Sequence, residues 1–455
     1  MAQILIENGY VVTMDDHRQV YEGGDVLIED DIIRAVGVVD PALVATDAER
    51  IDATGKIILP GLINTHVHLS QQLGRGLGDD VDLLTWLHER TWPYESSLDA
   101  EDSYISSLTC CAEMIRSGVT TFLEPGGQVV DSMARAVKEA GIRGVLAKST
   151  MDCGEGLPKC WQESTDECLA VQEELIKKHH NTADGRIRTW FGLRTIFNNT
   201  DELIIRTKEL ADKYDVGIHM HVAEVIEEVR YAEADRGMTT VEHLAKLGVL
   251  GPNFLAVHTV WLTPREIDLF LLHNVKVSHN PGAAMKVLGF APVAEMLRKG
   301  IAVSIGTDGA PCNNRMDMFD EMYLTAMIHK GRAIDPKALP AETVLEMATV
   351  HAAKCALWDD EIGSLTVGKK ADLIVINPKS AGAYPLHDRI SSLVYSMHSE
   401  NVESSMCNGK WVMRDRKILS FNEELLLDEA QSRADAIRTR AGIHLPDRFP
   451  VKKVR

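Results

Sequence analysis

Positive charge is scarce in this chain: 48 Lys and Arg stand against 67 Asp and Glu, a net charge of −19 with histidines neutral. That deficit argues against a nucleic-acid-binding surface or a polybasic membrane anchor, both of which need clustered cations. A small-molecule site is not excluded, because one metal ion can dominate local electrostatics whatever the net charge. No uninterrupted apolar run of about 18 residues occurs, so no membrane-spanning helix is expected. The opening MAQILIENGYVVTMDDHRQV lacks a basic start, a clean apolar core and a small-residue cleavage site. It reads as a strand followed by acidic turn chemistry, not a secretion signal. The 8 cysteines form no C-x-x-C pair, and a chain of 455 residues can bury a core without staples. Reduced thiols and a cytoplasmic setting are therefore expected. Asn198-Asn199-Thr200 matches a glycosylation acceptor, but without a secretion signal it is a chance match. Internal repeats and low-complexity tracts are missing. So is a G-x-G-x-x-G at a strand-to-helix turn, which removes the usual support for a dinucleotide fold.

The composition, 45% hydrophobic and 25% charged, is that of an ordinary globular protein, and a soluble enzyme is the first reading. Both ends read as β. ILIENGYVVTM, DVLIEDDIIRAVG and IDATGKIILPG open the chain, and ADLIVINP and SSMCNGKWVMRDRKIL lie near its close, with Asn408-Gly409 as a hairpin turn. Neither end can bury a core alone, so a single small β-sandwich domain built from both is expected. Between them, short apolar runs alternate with longer helical segments. The runs cover 62–69, 119–125, 142–149, 188–194, 216–224, 254–260, 275–281 and 301–309. Helices are expected over 99–117, 127–140, 201–214, 226–248, 263–273 and 290–299. Eight strand–helix units in roughly 250 residues predict an α/β fold, a (β/α)8 TIM barrel. The expected divisions are residues 1–58 and 366–422 for the β domain, 59–365 for the barrel, and 423–455 for a terminal helix and tail.

Residues at the carboxyl ends of barrel strands converge on one mouth, where active sites form. The first run carries His66 and His68, which as i and i+2 of a strand face the same way. The fifth carries His219, His221 and Glu224, the sixth ends in His258, the seventh in His279 and the eighth in Asp308. A lone strand-end histidine is more often a satisfied core residue than a ligand. The joint placement is harder to explain so, since buried His, Glu and Asp must each find partners. His219 shares parity with His221 and stays open as ligand, supporting group or packing.

IILPGLINTHVHLSQQLGRGL, HMHVAE, AVHTV, VSHNP and SIGTDGAPCNN, closed by EIGSLTVGKKADLIVI, resemble the landmarks of the amidohydrolase superfamily. Arg75 in GRGL, Trp86 in LLTWL and Glu95 in WPYE resemble its aminohydrolase branch, which holds methylthioadenosine/S-adenosylhomocysteine deaminases and s-triazine hydrolases. The resemblance implies one divalent metal, Zn2+ first and Fe2+ second, on His66, His68, His221 and Asp308. It further implies that water activated on the metal attacks an amine-bearing ring carbon and ammonia leaves. Glu224 would shuttle a proton to a ring nitrogen, His258 would polarise the attacked centre, and Asp308 would pass a proton to the departing amine. Glu95 would grip ribose hydroxyls and Trp86 wall the pocket. Lys148 stands roughly where carboxylate-binding arginines occur, and Arg75 and His279 complete the substrate-facing set. The sequence departs from the pattern at the fourth run, where G-P-H-S is replaced by Gly192-Leu193-Arg194-Thr195. Arg194 is a fixed cation with a planar donor fork, suited to a carbonyl, carboxylate or phosphate. The implied activity is hydrolytic deamination of a purine, adenosine-type nucleoside or related ring. Displacement of chloride or alkylamine from an s-triazine is the alternative, and a non-catalytic binding barrel a remote one. The expected partner is a small heterocycle, with neither nucleic acid nor membrane, and a homo-oligomer is expected.

Overall fold

The two ends of the chain pair into one sheet. Ile57–Pro60 runs antiparallel to Leu373–Ile376, with Ile58 opposite Val375. On one side follow Gln3–Val12, Val20–Glu29 and Ile32–Gly37, with Glu49–Asp52 beside the first of these. On the other side follow Val402–Cys407, Lys410–Arg414 and Lys417–Ile418. Gln3–Val12 is antiparallel to Val20–Glu29 but parallel to Glu49–Asp52 and Ile57–Pro60, so the sheet is mixed. The strands hydrogen-bond as one continuous nine-stranded sheet, where a sandwich of two facing sheets was expected. The alternation of Ile6, Val26, Ile28, Ile58, Leu373 and Val375 buries one face, and the alternate Ile57, Leu59, Ile374 and Ile376 turn the other face of the central strands into the main core. Asn408-Gly409 makes the expected hairpin with φ 52° and 71°. A Cβ at Gly409 would lie 2.1 Å from the Asp30 carbonyl oxygen, so only glycine fits there. Residues 2–81, 85–446 and 448–450 of this computed structural model are described. The two leucines of LLTWL and the tail 451–455 lie outside them.

Every expected apolar run carries a parallel strand. In order these are Leu62–Asn64, Val119–Leu123, Arg143–Leu146 continuing as Ser149–Thr150, and Ile187–Thr189 continuing as Phe191–Leu193. Then come Ile218–Val222, Phe254–His258, Lys276–His279 and Val303–Ile305. They form a four-stranded ladder and a six-stranded ladder that share the interrupted third and fourth strands. The Trp190 N–H donates to Leu146 O across the interruption, and the Thr65 N–H donates to Ile305 O, from the first strand to the last, both at 3.0 Å. Val119–Leu123, Ile218–Val222 and Phe254–His258 are buried throughout. That is why they read as continuous apolar runs and not as alternating ones.

Helices connect the strands, and their sequences mark their ends. Thr263-Pro264-Arg265-Glu266 forms a capping box, Thr263 and Glu266 satisfying each other's backbone N–H. The expected single helix over 226–248 is two, Ile226–Arg236 and Thr240–Lys246, because Gly237 turns left-handed at φ 74° and Thr239 caps a new start. The terminal helix Glu423–Arg440 packs Leu426, Ala430 and Ile437 inward, and its Arg433 and Arg440 pair with Asp102. Sheet and parallel strands are tied by a buried ion pair. Arg143 of the third strand reaches Asp372 through Nε at 2.6 Å and Nη2 at 3.1 Å, and donates to Asn408 Oδ1 at 2.6 Å. The two carboxylate contacts are bidentate and charge-assisted, the strong form of the interaction.

Candidate active site

The carboxyl ends of the first, fifth, sixth and eighth parallel strands meet. His66 and His68 follow Leu62–Asn64, His221 lies in Ile218–Val222, His258 ends Phe254–His258, and Asp308 follows Val303–Ile305. All five side chains are buried. Asp308 Oδ1 stands 3.5 Å from both His66 Nε2 and His68 Nε2. One potential ligand atom from each of His66, His68 and Asp308 lies within 4.8 Å of the others, and the same holds for His66, His221 and His258. Backbone strain marks the same rim. Ala223, His258 and Asp308 are left-handed at φ 50°, 69° and 66°, a conformation non-glycine residues keep only where surrounding contacts hold it.

The imidazoles are held in ligand form. Burial drives His66 down to about 4 against the pull of Asp308, and pushes His68 and His221 well below the usual histidine value. Burial alone would raise Asp308. The close approach of His66, with His258 and His68 beside it, outweighs burial and keeps the carboxyl well below its usual range. Supporting groups fix the rings. His221 Nδ1 donates to the Arg194 carbonyl at 3.0 Å, which frees Nε2 for a metal. His66 Nδ1 lies 3.1 Å from His219 Nε2, so His219 stands behind His66. His68 Nδ1 is 3.9 Å from Glu124 Oε1.

Glu124 and Asn280 were not identified from the sequence. Glu124 is fully buried, accepts backbone N–H bonds from Leu69 and Gly126, and is pushed by burial up to about 8. Its signal was an acidic residue closing the apolar run VTTFLEP. Asn280 Nδ2 lies 3.1 Å from His258 Nδ1, and its signal was the N of VSHNP.

The other expected residues divide. Glu224, half-buried, places Oε1 3.6 Å from His258 Nε2. Glu95 accepts from Gln71 Nε2 at 2.8 Å. Burial raises its carboxyl, with Arg194 and Gln71 pulling the other way. The Arg194 guanidinium, near these groups, has no hydrogen bond or ion pair among the described residues. Glu95 and Lys148 both line a cavity of about 520 Å3, with Ser70, Trp161 and Glu163, and Lys148 is ion-paired to Glu163. Trp86 packs on Gly78, where an added Cβ would fall 2.4 Å from the indole. His279 is buried behind the rim with Nε2 3.2 Å from His329 Nε2. Arg75 is not brought to the cluster: it is exposed and paired with Glu113.

A family model described as the amidohydrolase family matches residues 57–412. A 5'-deoxyadenosine deaminase of Methanosarcina barkeri is 39% identical over 444 residues, 97% of this chain and 99% of its own length. Among solved structures, an adenosine deaminase from Xanthomonas campestris with bound zinc superimposes with a TM-score of 0.91 at 32% identity, covering 96% of this chain and 99% of its own. An atrazine chlorohydrolase from Arthrobacter aurescens TC1 complexed with zinc reaches 0.87 at 26% identity, covering 95% and 100%.

Proposed function

This chain belongs to the amidohydrolase family, and from that premise we infer a metal-dependent hydrolytic deaminase of adenosine-type nucleosides. The observation that carries the reading is the converged set of His66, His68, His221 and Asp308 with Glu224 and His258 facing it. The donor set fits a divalent ion. Among the described residues His66 Nε2 is buried without a hydrogen-bond partner, and three imidazoles with one carboxylate suit Zn2+, with Fe2+ second by ligand softness. When bound, the ion supplies a Lewis acid and lowers the pKa of water.

The chain's own groups then handle protons. Water adds to the amine-bearing ring carbon, the C–N bond breaks, and a ring carbonyl and ammonia result. Glu224 takes a proton from the incoming water and delivers it to the adjacent ring nitrogen. His258 donates to the oxygen that becomes the carbonyl, and the ionised Asp308 takes the remaining proton of the added water and hands it to the departing amine, which leaves as ammonia. Glu95 accepts from ribose hydroxyls, and the free fork of Arg194 meets an acceptor on the substrate. Lys148, Trp86 and His279 border or back this pocket.

The same placement supports a (β/α)8 barrel over residues 59–365: the Thr65–Ile305 bond joins first strand to last. Residues 1–58 and 366–422 are assigned to the β domain, whose strand Ile57–Pro60 runs two residues past that bound, and 423–455 to the terminal helix and tail. Among the described residues no helix is long and apolar enough to cross a membrane, and all the cysteines are free, which suits the cytoplasm. We also propose a homo-oligomer, with the exposed side chains of Trp261 and Phe290 as a candidate contact.

The test is a panel of 5'-deoxyadenosine, methylthioadenosine, S-adenosylhomocysteine, adenosine, amino-purines and chloro-triazines, each with a chelated control. Chelator-sensitive ammonia from the nucleosides is expected. Chloride or alkylamine release without ammonia would move the protein to triazine hydrolysis, which the departure at Arg194 keeps as the second reading.

A further inference from the structure

His258 stands where a metal ligand could stand. Its ring nitrogen falls within 4.8 Å of those of His66 and His221, and Nε2 is 3.8 Å from Asp308 Oδ2. Position alone therefore does not decide whether this imidazole binds a metal or donates a hydrogen bond. The proton decides: a neutral imidazole carries it on one nitrogen, and the partner of the other nitrogen selects which. Behind His221 that partner is a carbonyl, Arg194 O, which takes the Nδ1 proton and leaves Nε2 a lone pair.

Behind His258 the chemistry is reversed. Its Nδ1 faces Asn280 Nδ2 at 3.1 Å, and an amide nitrogen can only donate. At the other end of the amide, Asn280 Oδ1 lies 3.4 Å from Ser278 Oγ, a hydroxyl that can donate to it. Ser278 Oγ sits 2.7 Å from Thr65 Oγ1, which is 2.8 Å from Ser304 Oγ, which donates to Val277 O at 2.9 Å. Ser278 is thus the hydroxyl that faces the amide oxygen while the amide nitrogen faces His258, and Gly306 makes room for the amide: an added Cβ there would lie 2.5 Å from Asn280 Oδ1 and 2.8 Å from His66 N. With Nδ1 accepting, the proton sits on Nε2. Among the described residues that buried nitrogen has no hydrogen-bond partner, and it is 3.6 Å from Glu224 Oε1, beyond hydrogen-bond reach. It is a donor waiting for an atom that neither carboxylate supplies.

We propose that Asn280 is a positioning residue that fixes the tautomer of His258, keeping it a hydrogen-bond donor to the substrate and out of the metal's ligand set. The proposal rests on the deaminase reading of His258 given above.

The experiment compares wild type, His258→Ala, Asn280→Asp and Asn280→Ala, each stripped of metal and reloaded with Co2+. An aspartate at 280 would accept from Nδ1, move the proton there and turn the Nε2 lone pair towards the metal. The Asn280→Asp protein is expected to show a weaker visible Co2+ absorption as a ligand is added, and about tenfold tighter Co2+ binding. Its turnover of 5'-deoxyadenosine should fall about 10²-fold. Asn280→Ala is expected to lose turnover with the wild-type Co2+ spectrum. Wild-type turnover in Asn280→Asp, with or without a spectral change, overturns the proposal when His258→Ala is inactive. A fully active His258→Ala would instead overturn the role of His258 itself. If the Asn280 variants do not fold, the 15N imidazole resonances of zinc-loaded wild type decide, assigned by their loss in His258→Ala. A proton on Nε2 upholds the proposal and one on Nδ1 overturns it.

Discussion

Glu224 and Asp308 are both carboxylates on the same rim, yet their surroundings give them different work. Asp308 is buried among imidazoles that keep it ionised, whereas Glu224 is half-buried with its oxygen turned towards His258. Glu224→Gln is therefore predicted to bind metal as wild type does and to lose about 10²- to 10⁴-fold in kcat. Metal analysis and steady-state rates check this, and full activity would remove Glu224 as the proton carrier. Arg194 presents a guanidinium with no partner among the described residues beside Glu95. Arg194→His is predicted to shift kcat/KM towards methylthioadenosine relative to wild type. An unchanged ranking across the nucleoside panel would mean that the fork does not meet the substrate.

At the scale of elements, two buried groups make stability testable. The Arg143–Asp372 pair joins the third parallel strand to the terminal sheet with both side chains out of solvent. Asp372→Ala would strand a buried guanidinium, and a loss of about 3–5 kcal/mol in denaturant unfolding is expected. Glu321, on the helix Met318–Ala333, accepts from Gly282 N and Asn313 Nδ2 and is pushed by burial up to about 8. A carboxyl whose folded-state pKa is raised binds its proton more tightly folded than unfolded. Its stabilising contribution is full below about 4.5, the unfolded value, and is lost as pH rises through about 8. Glu321→Gln should flatten this fall, read as the difference in Tm between the two proteins from pH 5 to 8.5. A constant difference across that range would contradict it.

For the whole molecule, the metal and the fold should be linked. The site draws on the first, fifth, sixth and eighth strands, so an ion that binds only the folded arrangement adds stability by mass action. Chelation is predicted to lower Tm and abolish ammonia release together, with Zn2+ restoring both. Loss of activity at constant Tm would separate the site from the fold. Much of this organisation was legible in the sequence. The eight apolar runs became the eight parallel strands, and H-x-H at 66 and 68, His221, His258 and Asp308 became the cluster, because strand periodicity and strand-end position are local properties. Local signals also gave the Asn408-Gly409 turn. The division of 226–248 was missed although Gly237 and Thr239 announced it.

What the sequence determined by itself is therefore which residues sit at which strand ends, since period and turn chemistry act over a few neighbours. Only the tertiary structure decided what stands behind each ring: His219 behind His66, Glu124 beside His68, the Arg194 carbonyl behind His221 and Asn280 behind His258. Arg75 shows the same limit, lying beside the rim in sequence yet paired outward with Glu113. Hydrogen-bond partners that set tautomers come from strands and loops distant in the chain. Their identity follows from how the strands are arranged around one another, not from the spacing of any one segment.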